Sequence, residues 1–320
     1  MTSATVIIPS VRGGVQLERL LGSLAAQSLS SQIIVVDDGS VGGVVRSAAE
    51  SFDVDLIRLD TNLGFSRAIN IAARQAKGET LLLLNDDCRA DPTFVEEMVK
   101  AVGESPGTVM AAGVLRDRED PALIDTAGIE LDPTLLVFDY LHGAPISRLD
   151  GDVEDPVGPC GAAAAFDRTA FLAVGGFDER LFAYWEDVDL ALRLRRRGGR
   201  CVLARYARGV HDHSATLGSG SARKNYLVGF GRGYVLRKWG ALTPALAPRI
   251  LARDLVICAG QAIVDRNVAG ARGRVDGLRA TNRQAPFPVG VTSSRAETSA
   301  FGTLLRRARR RSRLRRRARS

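Results

Sequence analysis

Three apolar runs near the start of the chain end in polar or acidic residues, and this recurrence constrains the fold more than any other feature. ATVIIP (4–9) stops at Pro9 and Ser10, SQIIVVDD (31–38) at Asp37 and Asp38, and TLLLLNDD (80–87) at Asn85, Asp86 and Asp87, with VDLIRLD (54–60) a further strand-like run. Between them, VQLERLLGSLAAQSL (15–29) and FSRAINIAARQAKG (65–78) space their apolar residues at helical intervals. Near-continuous apolar strands separated by helices predict an α/β chain with a mostly parallel central sheet covered on both faces. Such sheets bind ligands beyond the carboxyl ends of their strands. The polar residues that end these runs are therefore predicted to converge at one functional edge.

Each strand end has a structural and a chemical reading. In VVDDGS (35–40), Asp, Gly and Ser are ordinary turn residues, or an Asp carboxylate accepts the imide N–H of a pyrimidine base. In TNLGFSRAIN (61–70), Asn62 and Gly64 form a turn, and Gly64 lets the backbone approach a ligand. Asn70 is unexpected on a helix face that only packs. LLLLNDDCRADP (81–92) carries more, because a buried run that stops abruptly sets hard oxygen ligands at the sheet edge. Mg2+ and Mn2+ bind through one or two such carboxylates together with substrate phosphates. A solvated turn is the alternative.

Residues 184–198, YWEDVDLALRLRRRG, place Glu186 and Asp187 behind an aromatic pair at the start of a basic amphipathic helix. Asp187 is either a helix cap or a rigidly held catalytic carboxylate, and the two roles are compatible. In VHDHSAT (210–216), His211 and His213 share one face of a strand. They form a metal pair, or each is an ordinary satisfied imidazole.

The net charge of +8 belongs to the end of the chain: residues 301–320 hold ten Arg and no acid, which leaves −2 for the rest. Such a block repels itself, is predicted to be disordered, and attracts an anionic membrane face or nucleic acid. No aromatic interleaving or recognition helix accompanies it, which argues against a specific nucleic-acid-binding protein. Cys88, Cys160, Cys201 and Cys258 form no CxxC pair and read as buried, reduced thiols of a cytosolic protein. TSATVIIP runs straight into a strand, so no signal peptide is expected. LVICAGQAIV (255–264) is too short to span a bilayer.

Residues 115–156, rich in Asp, Pro and Gly, read as short antiparallel strands or a flexible loop. A further strand is expected around CVLA (201–204). From 221 onward, SARKNYLVGFGRGYVLRKWG and ALAPRILARDLVICAGQAIVDR read as helices. The second sets Leu, Ile and Val on one face and Arg on the other, as in a helix packed on the core or lying on a membrane surface. The expected organisation is a catalytic domain over 1–220, a helical extension over 221–285 and a disordered Arg-rich tail over 286–320.

Taken in order, VIIPS, VVDDGS, NLGFSRAIN, LLLLNDD, GPCGAAAAFDR, GGFDE, YWEDVDLALRLRRRG and VHDHS resemble the family 2 glycosyltransferases with a GT-A fold, over roughly residues 4–240. Within that family the pattern is most similar to bacterial rhamnosyltransferases and galactofuranosyltransferases of cell-wall and surface-polysaccharide assembly. The resemblance implies an inverting transferase that moves a sugar from a nucleoside-diphosphate donor to a hydroxyl of a glycan or polyprenyl-linked acceptor. dTDP-rhamnose is the expected donor, with UDP-galactofuranose and UDP-N-acetylglucosamine as alternatives. It implies that Asp38, with Asp37 beside it, contacts the donor base in a pocket lined by Pro9 and Ser10. Asn62, Gly64, Asn85 and Asp86 fall on the donor side. Asp87 matches the last acid of the family's DxD metal motif, and Asn85 stands where the first acid is usual. His211 matches the downstream His that meets Mg2+ or Mn2+ or the diphosphate, while His213 has no firm counterpart. Asp187 matches the general base. Glu186, Trp185 and Gly161 of the GPCGAA segment fall on the acceptor side, and Asp189 takes a helix-surface or supporting place. The resemblance also implies a cytoplasmic enzyme, peripheral on the inner membrane face through its C-terminal helix and Arg tail. A sugar nucleotidyltransferase needs a Gly-rich basic phosphate loop after the first strand, and PSVRGGVQ (9–16) lacks that pattern.

Overall fold

The computed structural model describes residues 4–212, 220–287 and 290; His213 and the Arg-rich segment 301–320 lie outside them. The chain groups into two compact units, Met1–Glu130 with Val137–Thr216, and Leu131–Leu136 with Leu217–Ser320.

The first unit begins with alternating strands and helices: β1 (Ala4–Ser10), α1 (Val15–Ala25), β2 (Gln32–Asp38), α2 (Val44–Glu50), β3 (Asp55–Leu59), α3 (Phe65–Gln75) and β4 (Thr80–Leu84). It continues through β5 (Cys88–Ala90), α4 (Phe94–Gly103), β6 (Thr108–Asp117), β7 (Ile124–Thr126), β8 (Ile129–Leu131) and β9 (Val137–Asp139). β10 (Ala163–Asp167), α5 (Arg168–Ala173), α6 (Glu186–Arg196) and β11 (Arg200–His211) complete it.

The central sheet runs β3-β2-β1-β4-β10-β6-β11-β5, with β7 on the edge of β6. Strands β1 to β4 are parallel, as the apolar runs predict, and Ser10 lies opposite Asp37 where β1 and β2 end. The second half of the sheet is mixed. β10 enters antiparallel between β4 and β6, β6 and β11 are parallel, and β5 closes the edge antiparallel to β11. Leu81, Leu82, Leu83 and Leu84 of β4 are buried, as befits a strand covered on both faces. Residues 115–156 carry short antiparallel strands, β7 on the main sheet and the β8–β9 pair.

Several elements go beyond the sequence pattern, β5, β6 and α5 among them. Helices α2 and α4 cover the sheet where no helix was expected. The GPCGAAAAFDR segment supplies β10, a central strand built largely of alanine. Alanine is a poor strand former, so this strand is set by its two buried neighbours. The strand expected at 201–204 extends through a register shift after Leu203 to reach His211.

The second unit holds α7 (Ala222–Lys238), α8 (Ala247–Gly260), a π turn over Gln261–Asp265 and α9 (Ala269–Arg279). Glycines let α7 and α9 touch backbone to backbone; a Cβ on Gly233 would lie 2.1 Å from the Arg274 carbonyl oxygen. Beneath α8, Asp254 receives Arg232 Nε at 3.2 Å and Arg274 Nε at 3.5 Å. Arg232 also donates to the Leu135 carbonyl at 2.6 Å, and Arg253 pairs with Asp132. The 131–136 segment is thereby tied into this unit. Among the described residues, no helix is long and apolar enough to cross a membrane.

Candidate active site

The carboxyl ends of β1, β2 and β4 bring the predicted donor-side residues together. The Ser10 hydroxyl donates to Asp86 Oδ2 at 2.5 Å and accepts the Gly13 amide at 3.0 Å. Burial raises the Asp86 carboxyl to about 6; Asp87 adds to that rise, while Ser10 and Arg12 oppose it. Pro9 pairs with Val36 one step before the strand ends. Asn85 leads the bend from β4 into β5, donating its amide to the Ala162 carbonyl and accepting the Cys88 amide.

The two acids of VVDDGS divide their work. Asp38 accepts the Leu63 amide at 2.6 Å on one oxygen and the Gly64 amide at 3.0 Å on the other. Asn62 Oδ1 shares the Gly64 amide at 3.1 Å. Asp38 is thus the clamp of the Asn62–Gly64 turn. Gly64 is required there, since its φ is +87° and a Cβ would lie 2.6 Å from the Phe182 ring and carbonyl. The close neighbour of that glycine is Phe182. Asp37 Oδ1 accepts the Ser40 amide at 2.8 Å, whereas Asp37 Oδ2 and Ser40 Oγ are buried without a hydrogen-bond partner. Asn70 holds both backbone groups of Phe177, donating to its carbonyl and accepting its amide at 2.9 Å each. It anchors the GGFDE segment, which explains a polar side chain on that helix face.

At the far end of β4, Asp87 meets the last residue of β11. His211 Nε2 lies 3.2 Å from Asp87 Oδ1, and His211 Nδ1 lies 2.8 Å from Asp125 Oδ2. Burial pushes the imidazolium toward losing its proton, but the two carboxylates outweigh it and raise His211 to about 10. Asp125 is buried on β7, and its carbonyl also meets His142 Nδ1 at 2.7 Å. Nothing in the sequence singled out Asp125, because the short strand that carries it lies in an irregular stretch.

Asp87, Cys88 and His211 converge with ligand atoms within 4.8 Å of one another. Cys88 points its Sγ at the Ala162 carbonyl, and burial holds its thiol protonated. One carboxylate oxygen and one imidazole nitrogen then remain, a donor set that accepts a divalent ion such as Mg2+ or Mn2+ with substrate phosphates filling the other positions. The carboxylates of Asp87 and Asp125 on either side of His211 make these surroundings negative, which suits a cation.

The second acidic pair stands at the start of α6. Tyr184 and Trp185 both take left-handed backbone angles, φ 72° and 75°, although neither is glycine. Such strain persists only where surrounding structure enforces it, and it gathers at functional sites. Here it turns the chain sharply into the helix, with Trp185 buried in the cap position and making no side-chain cap bond. Asp187 sits inside the first turn and is not the cap. Its Oδ1 accepts the Val188 amide at 2.8 Å and its Oδ2 the Gly161 amide at 3.3 Å. Glu186 is buried, and its Oε2 has no hydrogen-bond partner. Burial raises both carboxyls, Asp187 to about 6 and Glu186 well above the usual carboxylate range. The environments of the adjacent acids differ: two amides favour a negative charge on Asp187, while burial beside Asp187 favours the protonated form of Glu186. Asp189 is fully buried and pairs with Arg193 at 2.8 Å, a supporting place inside the helix packing.

Asp139, at the end of β9, connects the two sides electrostatically. Its charge is felt by Asp187, and it feels those of Asp125, His142 and His211.

Residues 5–171 match the family described as Glycosyl transferase family 2. The chain is 29% identical to the N-acetylglucosaminyl-diphospho-decaprenol L-rhamnosyltransferase of Mycobacterium tuberculosis, over 67% of this chain and 77% of that one. It is 30% identical to the O-antigen biosynthesis protein RfbC of Myxococcus xanthus, over 66% of this chain and 17% of that much longer protein. Its fold is similar to that of a mannosyltransferase from Pyrobaculum calidifontis solved with GDP-Man and Mn2+, with a TM-score of 0.55, 18% identity, and coverage of 88% and 76% of the two chains. It is also similar to GalNAc-T7 solved with UDP, GalNAc and Mn2+, with a TM-score of 0.60, 15% identity, and coverage of 89% and 55%.

Proposed function

The chain belongs to glycosyl transferase family 2, and on that premise we propose that it transfers L-rhamnose from dTDP-rhamnose, with inversion, to a hydroxyl of a polyprenyl-linked glycan in cell-envelope polysaccharide synthesis. The chemistry rests on one observation, the unequal environments of Glu186 and Asp187. Sugar transfer with inversion needs a base on the face of C1 away from the leaving diphosphate, ionised at neutral pH and firmly held. Asp187 meets both conditions through its two amide contacts. The acceptor hydroxyl gives its proton to Asp187 as its oxygen bonds to C1 and the bond from C1 to the diphosphate oxygen breaks. Glu186, protonated, donates a hydrogen bond that orients the acceptor, and Trp185 and Gly161 shape that side of the site.

On the donor side, Asp37 Oδ2 and Ser40 Oγ offer the acceptor and hydroxyl that the imide edge of a thymine or uracil requires. Asp38 keeps the Asn62–Gly64 turn in place beside them. Ser10 and Asp86 line the same edge with Pro9 and Asn85. Asp87 and His211 would hold Mg2+ or Mn2+, which would supply positive charge for the departing diphosphate. Asp125 fixes the His211 ring so that Nε2 faces Asp87.

The relative that carries the rhamnose reading is the L-rhamnosyltransferase of Mycobacterium tuberculosis, and the O-antigen biosynthesis protein of Myxococcus xanthus supports the surface-polysaccharide setting. The experiment is donor turnover with dTDP-rhamnose, UDP-galactofuranose and UDP-N-acetylglucosamine, each with and without Mn2+. Preferential turnover of dTDP-rhamnose is expected; preference for either uridine donor overturns the rhamnose assignment and leaves the transferase reading in place.

A further inference from the structure

Helix α8 presents its apolar side outward. The residues it buries are Ile250 and Asp254, the latter held by Arg232 and Arg274. Its opposite face carries Pro248, Leu251, Ala252, Leu255, Val256 and Ala259, all exposed. At about 100° per residue these six fall within an arc of about 140°, over a length of about 18 Å. That arc holds no charged side chain. Leu251 is 61% exposed and Leu255 71%, and the π turn that continues the helix adds Ile263 at 77%. Single exposed apolar residues need no explanation, but a contiguous strip marks an interaction surface.

Charge selects the occupant. Residues 217–287 contain twelve Lys and Arg against three acids. Arg249 flanks the strip, and Arg266 and Arg272 are exposed on the segments that follow it. A second copy meeting this face would bring two strongly positive surroundings together. An anionic bilayer accepts both features at once, taking the apolar strip into the acyl boundary and the Arg side chains against its phosphates.

We propose that the outward face of α8 is a bilayer-docking surface, seated parallel to an anionic membrane with Leu251, Leu255 and Ile263 inserted. The helix lies in the interface and does not cross. The inference gives the lipid-linked acceptor reading a physical location, and rests on that reading only for its biological sense. Its deciding readouts, flotation and Trp emission, involve no sugar transfer, so failure to dock and failure to transfer rhamnose are separate results.

The full chain is mixed with phosphatidylcholine vesicles, with and without phosphatidylglycerol, and recovered by flotation. A position-specific reporter, Leu255→Trp, shows whether this face enters the lipid. The expected result is flotation that depends on phosphatidylglycerol. Trp emission at position 255 is expected to shift to the blue on vesicle addition and to be quenched by brominated acyl chains. The variant Leu251→Gln/Leu255→Gln/Ile263→Gln, all at exposed positions, is expected to lose partitioning at least ~tenfold while donor hydrolysis is unchanged. Unchanged flotation of that variant, or emission at position 255 that ignores the vesicles, overturns the proposal. So does sedimentation equilibrium showing a dimer that the same substitutions dissociate.

Discussion

His211 Nδ1 lies 2.8 Å from Asp125 Oδ2 while its Nε2 lies 3.2 Å from Asp87 Oδ1, so one imidazole spans carboxylates from two parts of the sheet. Asp125 belongs to β7, His211 ends β11, and Asp87 stands between β4 and β5. The three meet because β5 and β7 are short strands laid at the sheet's edge, with His211 in register with Cys88. A ring fixed at one nitrogen presents the other in a single orientation, which is how histidine ligands are commonly aimed.

Asp125→Asn is accordingly expected to weaken Mn2+ binding by about 10–100-fold, since loss of such an outer partner commonly costs that much. Titration of free Mn2+ by electron paramagnetic resonance, with nucleoside diphosphate present, measures it directly. Nitrogen-15 NMR of the His211 ring gives a second readout, a change in the proton's position between Nδ1 and Nε2. Affinity and ring signal both at wild-type values refute the role.

Asp187→Asn is expected to lower turnover by about 10²–10⁴-fold, the range of a lost general base, with donor binding nearly intact. It is also expected to stabilise the fold. The folded carboxyl, raised to about 6 from 3.8 chiefly by burial, binds its proton more tightly than the unfolded one. Between about pH 4 and 6 the folded chain therefore holds the extra proton, and stability falls as pH rises through that window. Above it the ionised group costs on the order of 1–3 kcal/mol. Thermal unfolding should show the variant above wild type at about pH 7 and equal to it below about pH 4. Wild-type turnover should fall on the acid side of about pH 6.

Glu186→Gln tests the other half of the pair. If Glu186 keeps its proton at neutral pH, an amide of the same shape preserves a donor at that site, so turnover should fall by less than about tenfold. Glu186→Ala removes the donor and opens space beside the Gly161 backbone, and a loss of at least ~100-fold is expected, mainly in acceptor KM. Equal damage from the two substitutions contradicts the protonated state.

The parallel half of the sheet was legible because Ile33–Val36 and Leu81–Leu84 are unbroken apolar runs that stop at acids, and both burial and strand ends leave that mark. Asp87, Asp187 and His211 stand out in the sequence for a related reason: each sits at or beside the end of a regular element. β10 was hidden because alanine says nothing about strand or helix, and only the gap between β4 and β6 makes those residues extended. Asp125 was hidden because its partner is a ring 86 residues away. At Asp38 the sequence points to a base contact, and it gives no sign of the two backbone amides, of Leu63 and Gly64, that its carboxylate accepts.

Asp38 and Asp37 therefore give separable outcomes. Replacing Asp38 with Ala leaves the Leu63 and Gly64 amides without the acceptor that joins them to β2. Gly64 keeps Asn62 Oδ1, so the cost falls mainly on the Leu63 amide, at about 1–3 kcal/mol. The turn also carries Gly64, whose backbone cannot shift freely because Phe182 packs against it. Asp38→Ala should thus lower the thermal midpoint by several degrees, with similar losses for every donor tested. Asp37→Asn should do the reverse. It keeps an oxygen for the Ser40 amide, barely changes the midpoint, and raises KM for thymidine and uridine donors by at least ~tenfold by turning a base acceptor into a donor. A donor-specific KM effect at Asp38, with unaltered stability, returns the base contact to that residue and makes its two amide bonds incidental.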